Sequence, residues 1–308
     1  MNFSSKPLES PLAVEQTPSS RAIVFRTRGN NSGGPITRLM SPSDSGQALK
    51  PFVFLDIFDA KESTIHAMAE MPLHPHSGIA TVTVFTQGSM QYHDPDAGRG
   101  TIDYGGVEWM RAGRGVWHGK EMTPSPDISR IQGFQLWLAL PAALEGSEPQ
   151  SRYIEARDMG SAGPAVVVIG EHEGVRSPVD SPDGINYLLV KLRPGERWTY
   201  HPPLGHTLAW VAVANGTLDA GTAVPRGEMA VFADDGRPIT LEASGDDDAV
   251  FVLGSAVPHP HPLHLGYYSV HTTAKALAAG EARISELGKK LKAAGDRSTA
   301  SGTIPVFK

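Results

Sequence analysis

The chain has 308 residues, 40% hydrophobic and 19% charged, which is enough for two domains with sizeable cores. A formal charge of −6 gives it no bulk attraction to phosphate backbones or anionic lipid, so direct nucleic-acid binding is not expected. It has no cysteine, which excludes disulfides, thiolate metal sites and a cysteine nucleophile, and leaves any metal to nitrogen and oxygen donors.

The first 20 residues, MNFSSKPLESPLAVEQTPSS, lack the basic start and apolar core of a signal peptide, and read as a loosely ordered leader. No stretch approaches the roughly 18 apolar residues that a membrane span needs, so a cytoplasmic location is expected. The 33 glycines and 25 prolines favour turns over long helices. From Ala22 the chain alternates short apolar runs with turn signals: RAIVFRTRG, KPFVFLDIFD, GIATVTVFTQGSMQYHD, GGVEWMRAGRG and RIQGFQLWLALPA. Runs of this length, rich in β-branched and aromatic residues, predict the strands of a sandwich or barrel.

Composition then shifts across residues 145–164, a passage rich in Gly, Ser, Pro and charge that suits a domain linker. The rhythm resumes with AVVVIGEH, INYLLVKLRPGERWTY, TLAWVAVANGTLDAG, EMAVFADDG, PITLEASGD and AVFVLGSAV. TVTVFTQGSMQYHD and LAWVAVANGTLDAG break alike, at Gln87-Gly88 and Asn215-Gly216, which predicts paired hairpin turns and an internal duplication of one β-domain. Only Thr273 to Ala294 looks helical, with Leu277, Ile284, Leu287 and Leu291 at helical spacing; Gly280 and Gly288 weaken the pattern.

The chemistry is concentrated in PLHPHSG. His74 and His76 are two apart, the period of a strand, so both imidazoles leave the same face. About forty residues later, GRGVWHGKEM places His118 after a glycine-rich turn, with Glu121 three residues beyond. In a small barrel, strands distant in sequence face one another, so three imidazoles and a carboxylate could meet. That donor set suits Fe(II), Mn(II), Ni(II), Cu(II) or Zn(II). An HxH pair alone is a weak signal in a chain with 12 histidines.

The stretch from PFVFLDIFDA through PLHPHSGIATVTVFTQGSMQYHDPDAGRG and GGVEWMRAGRGVWHGKEM to IQGFQLWLALP resembles the pirin family of bicupins. The likeness continues through VIGEHEGVRSPV, PGERWTYHPPLGHTLAWVAVANGTL and GSAVPHPHPLHLGYYSVHT, covering roughly residues 22–292. It implies an all-β chain of two tandem cupin domains, each a jelly-roll β-barrel, with a short C-terminal helix. The corresponding division is a leader at 1–20, a metal-binding cupin at 21–148, a linker at 149–164 and a metal-free cupin at 165–308. The resemblance also implies one mononuclear divalent metal, Fe(II) first, on His74, His76 and His118. Pirins place a glutamate two positions after the third histidine, where this chain has Lys120; Glu121 is the expected fourth ligand and the nearby acid/base group. A second departure is Ala80, where pirins commonly carry a glutamate four residues after the second histidine.

Other residues have blander readings. His66 lies in the same half, and His93 with Asp94 reads as a turn or as support for the ligands. Phe52, Phe54, Phe58, Met110, Gln135 and Trp137 run near the barrel mouth, where aromatics usually serve the core, with Gln135 as the polar exception. His259, His261 and His264 repeat the HPH pattern among prolines, and are expected in packing rather than on a metal. His201 and His206 are not expected to hold a metal. The family likeness implies an enzyme of the quercetin 2,3-dioxygenase type, acting on a flavonol-like enol with O₂. The alternative is a non-enzymatic, iron-containing, redox-responsive regulator that binds a partner protein. A monomer is the expected assembly.

Overall fold

The computed structural model describes residues 20–295 apart from 32, 62–63, 66–71 and 95. His66 and all but the last residue of the expected leader lie outside the described residues.

Two large antiparallel sheets dominate. The first has six strands in the order Gln150–Ile154, Val107–Arg111, Ile79–Gln87, Arg130–Ala139, Phe52–Lys61 and Ile36–Met40. The second has seven, in the order Ile23–Arg28, Glu228–Phe232, Leu208–Asn215, Ala249–Ala256, Ile185–Leu192, Ala165–Ile169 and Ser161–Ala162. A three-stranded sheet (Met122–Pro124, Met90–Asp94, Gly98–Ile102) closes the first jelly roll. A four-stranded one (Arg197–Tyr200, Ile239–Ser244, Thr217–Asp219, Ala223–Pro225) closes the second. The chain is thus two tandem cupins.

The two matching Gly turns behave differently from the expected hairpins. Ile79–Gln87 and Met90–Asp94 belong to different sheets, as do Leu208–Asn215 and Thr217–Asp219. At Gly88 and Gly216 the chain turns a corner from the large sheet of its barrel into the small one. A local Gly turn fixes the change of direction but not the ladder partner, which is chosen by burial across the whole barrel. That both halves turn the same corner supports the duplication.

Side-chain alternation builds four apolar clusters among the described residues, one of them around Phe58, Phe85 and Ile131. Ala80, Val82 and Val84, with Trp109, Phe134 and Leu136, face Tyr187, Leu189, Trp210 and Val252 of the second sheet, forming a core between the domains. Phe52 meets Trp210 edge-on across it at 5.2 Å. The opposite faces of the sheets line the two barrels, with clusters around Ile79, Met110 and Val116 in the first and around Leu188, Val211 and Phe251 in the second. Each large sheet is therefore largely buried on both faces, which explains why its strands read as mostly hydrophobic runs.

The chain also exchanges segments between halves. Ile23–Arg28, expected in the first cupin, pairs with Glu228–Phe232 in the second sheet. Much of the expected linker is structured: Gln150–Ile154 pairs with Val107–Arg111, and Ser161–Ala162 with the start of Ala165–Ile169. After the second barrel the chain returns to the first. His259 bonds the Leu140 carbonyl and its amide bonds Lys50 O, so the HPHP segment is an inter-domain strap. Beyond it, Ser269–His271 leads into the helix Ala274–Ala294, capped by the Thr273 hydroxyl, which accepts from Ala276 N. The helix buries Gly280, Ile284 and Leu287, and Trp117 of the first cupin donates its indole N–H to Ile284 O at 2.7 Å. The two glycines that weaken its helical pattern sit where it touches the barrel: Gly280 against Ser77 and His271, Gly288 against Trp117.

Candidate metal centre

The HPH segment forms a short strand, His74–His76, paired antiparallel with Val116–His118. The register sets His74 directly opposite His118, while the period of two returns His76 to the same face. The three rings gather with centroids 4.6 to 5.1 Å apart, and one donor atom from each lies within 4.8 Å of the others. Gly119, at φ +133°, follows immediately. A Cβ there would stand 3.1 Å from His74 Nδ1 and 3.2 Å from Pro72 O, so only glycine lets the loop close over the ring.

Each imidazole is turned by a partner on Nδ1. His74 donates to Pro72 O (3.1 Å), His76 to Tyr268 O (3.1 Å) and His118 to Glu121 Oε1 (2.8 Å). All three acceptors are oxygens without a proton to give, so Nδ1 carries the hydrogen and Nε2 carries the lone pair. His118 Nε2 is buried with no hydrogen-bond partner. A buried orphan nitrogen is costly unless something accepts its lone pair, and a divalent metal does.

Electrostatics favours the ligating form of His74 and His76. Burial, helped by His118, lowers His74 to about 4, and burial with the neighbouring imidazoles depresses His76 well below its ordinary range, so both are neutral near pH 7. Burial also works against a charged His118, but the Glu121 carboxylate outweighs it and raises the ring. Glu121 is the mirror image: burial would raise it, yet His118 and the loop amides hold it at about 2. Its Oε2 accepts from Gly119 N and Lys120 N, both at 2.9 Å, so both of its oxygens are engaged on the far side of His118.

A second carboxylate, absent from the sequence reading, joins the site. Glu108 is buried on Val107–Arg111 and groups with His118 and Glu121 within 4.8 Å. It accepts a hydrogen bond from the Thr83 hydroxyl, which is also 3.0 Å from Gln135 Oε1. Burial, with Glu121 nearby, pushes Glu108 up to about 7. A lone acid among buried apolar residues in VEWMR, sharing a face with Met110, was the available signal. Ala80 explains the missing glutamate differently: its methyl lies in the inter-domain core, on the face of its strand away from the histidines.

Trp137 lies 4.8 Å from His76 and stacks on Phe54 at 4.2 Å, and Tyr268 stands 5.7 to 5.8 Å from His74 and His76, making an aromatic wall. Phe52, Phe58 and Met110 are core residues. Asp94 caps its turn by accepting from the Asp96 and Ala97 amides, and the His93 amide bonds Glu121 O, behind the ligand loop. Among the described residues, no metal-compatible group includes His201, His206, His259, His261 or His264.

The pirin family profile matches residues 35–138, which contain all of these first-cupin side chains. A pirin-like protein of Caulobacter vibrioides is 31% identical over 254 residues, spanning 79% of this chain and 89% of that protein. The chain belongs to the pirin family. Pirin-1 of Arabidopsis thaliana is 36% identical to this pirin over 181 residues, 58% of this chain and 60% of its own. A crystal structure of a quercetin 2,3-dioxygenase from Acinetobacter baumannii superposes on it with a TM-score of 0.74 at 26% identity, covering 88% of this chain and 98% of that one. Among the described residues of this pirin, no helix is long and apolar enough to cross a membrane.

Proposed function

We propose that this pirin is a metal-dependent dioxygenase of the quercetin 2,3-dioxygenase type, acting on a flavonol-like enol and O₂. The observation that carries the reading is the convergence of three Nδ1-anchored imidazoles with free Nε2 atoms. His74, His76 and His118 would hold one divalent transition metal, Fe(II) first among the candidates. When bound, it supplies a Lewis acid and template with positions left open for small ligands.

The chain's own residues have separable parts in this reading. Glu121 keeps His118 in the Nδ1–H tautomer; with both its oxygens occupied, it is assigned to orientation rather than to the fourth-ligand and base roles expected from sequence. Glu108 takes the proton of the enol hydroxyl at its free carboxylate oxygen, a role suited to a carboxyl raised to about 7, while Thr83 holds the other oxygen. Trp137 and Tyr268 offer flat apolar faces to an aromatic substrate and keep water from the reacting carbons, while Phe54, stacked on Trp137 and covered by Arg38, backs the wall. The relative described as a quercetin 2,3-dioxygenase supports this substrate class.

The regulator reading has one observation in its favour. The Tyr268 carbonyl holds His76, and its neighbours Leu265 and Tyr267 are exposed, so the surface beside the site is tied to a candidate ligand. The deciding test pairs metal content per chain with quercetin-dependent O₂ uptake, in the parent and in His76→Ala. One equivalent of metal with O₂ uptake, both lost in the variant, is the expected result. Full metal loading without O₂ uptake from quercetin would replace the enzyme with the regulator.

A further inference from the structure

The second cupin holds no metal-compatible cluster among its described residues, yet it carries a half-open cavity of about 580 Å³, within the size range of small-molecule sites. Its polar wall is organised. Tyr200 Oη and His206 Nδ1 both meet Ser255 Oγ, at 2.7 and 2.9 Å, and Asn186 Nδ2 donates to Tyr200 Oη at 3.0 Å and to Glu171 O at 2.7 Å. His206 lines the cavity at 5% exposure, and with Nδ1 taken by Ser255 its Nε2 has no protein partner. His172, 4% exposed, lines it as well and has a buried Nε2 without a hydrogen bond. His172 Nε2 lies 3.9 Å from Glu173 Oε1, too far for a hydrogen bond, and two nearly buried imidazoles at one cavity, each with a nitrogen that makes no hydrogen bond, are expensive to keep unless a ligand uses them. Burial lowers both rings, so they meet a ligand as neutral donors or acceptors.

Charge narrows the class. Glu171, Glu173 and Asp183 stand at the mouth against a single lining cation, Arg176; a further lining carboxylate, Asp180, lies 3.7 Å from Arg111. An anion would meet this acidic rim with repulsion, and a cation would be drawn in. We propose that this cavity is a second, metal-independent site for a small hydroxylated organic cation, its hydroxyls bonded by His172 and His206, with Asn186 spent on bracing the wall, and its ammonium held by the rim carboxylates.

Three sugars that differ mainly in charge test this on the full-length chain: glucosamine as the cation, glucose as the neutral form and glucose 6-phosphate as the anion. Binding is read by calorimetry and by the fluorescence of Trp198, whose ring lies 5.6 Å from His172. Glucosamine should bind saturably, at least about five-fold tighter than glucose, with glucose 6-phosphate weakest and the preference shrinking in salt. His206→Leu should weaken glucosamine about ten-fold, the loss expected of one buried hydrogen bond. Should that variant fold poorly, the exposed pair Glu173→Gln and Asp183→Asn serves instead and should bring glucosamine and glucose to parity. His76→Ala should leave glucosamine binding unchanged. Absent or equal binding of the three sugars, tighter binding of the phosphate, an unaltered preference in the rim variant, or loss of binding in His76→Ala would each overturn the proposal.

Discussion

His118 donates Nδ1–H to Glu121 at 2.8 Å, and the same carboxylate accepts the amides of Gly119 and Lys120. The loop after His118 is thereby folded around one side chain. Glu121→Gln keeps the size but removes the charge that fixes the tautomer, and the first-row metal affinity of the variant should fall about ten- to a hundred-fold. A chelator-competition titration measures it. Unchanged affinity would show that Glu121 does not orient His118.

Glu108 governs a pH dependence. Its folded value of about 7 lies above the ordinary 4.5, so the folded state binds the proton more tightly than the unfolded chain. Stability from this group is fully present below about pH 4.5 and is lost as pH rises through about 7, a difference on the order of 3 kcal/mol at its limit. In metal-free protein, Glu108→Gln should therefore gain melting temperature over the parent at pH 8 and gain little at pH 5. A thermal melt at the two pH values checks this, and an equal gain at both would remove ionisation as the cause.

Gly280 sets the distance between the C-terminal helix and the first barrel. A Cβ there would lie 2.5 Å from Ser77 Oγ and 2.6 Å from His271 Nε2. Alanine normally gains about 1 kcal/mol over glycine inside a helix, but overpacking costs about 1–3. Gly280→Ala should be net destabilising by about 1 kcal/mol in denaturant titration, and a net stabilisation would mean that the helix can shift without cost.

Trp210 tests whether the two cupins behave as one unit. It is fully buried in the inter-domain core, against Phe52 and 6.0 Å from Tyr187. Trp210→Ala should cost about 3–5 kcal/mol. It should lower the unfolding of both halves together, seen as one calorimetric transition shifted down. Two separated transitions in the variant would show that the domains are only loosely coupled.

Much of this was legible in the sequence because its signals are local. Strand runs, the His74–His76 period and the helix ending at Ala294 depend on near neighbours. The site's remaining parts depend on pairing across the barrel. Glu121 lies beside His118 in the chain, yet which of its oxygens faces what is settled by the Gly119 and Lys120 amides. Glu108 reaches the histidines only because Val107–Arg111 pairs with Ile79–Gln87, and no spacing rule connects the two strands in advance. The corners at Gly88 and Gly216 read as hairpins because a turn carries no information about which sheet receives the next strand. Tyr268 was invisible for the same reason, being 192 residues from the imidazole it holds.

That last separation has a consequence for biosynthesis. A chain emerging from the ribosome exposes His74, His76 and His118 long before residue 268 has been made, and the intervening residues include every strand of the second large sheet except Ile23–Arg28. During that interval His76 lacks its Tyr268 acceptor and Trp117 lacks the helix, so the three imidazoles of the nascent first cupin are held less tightly than in the finished protein. On the proposed metal-binding reading, the site takes its final shape late, when the returning arm docks, and metal offered during translation would meet a different site from metal offered after release.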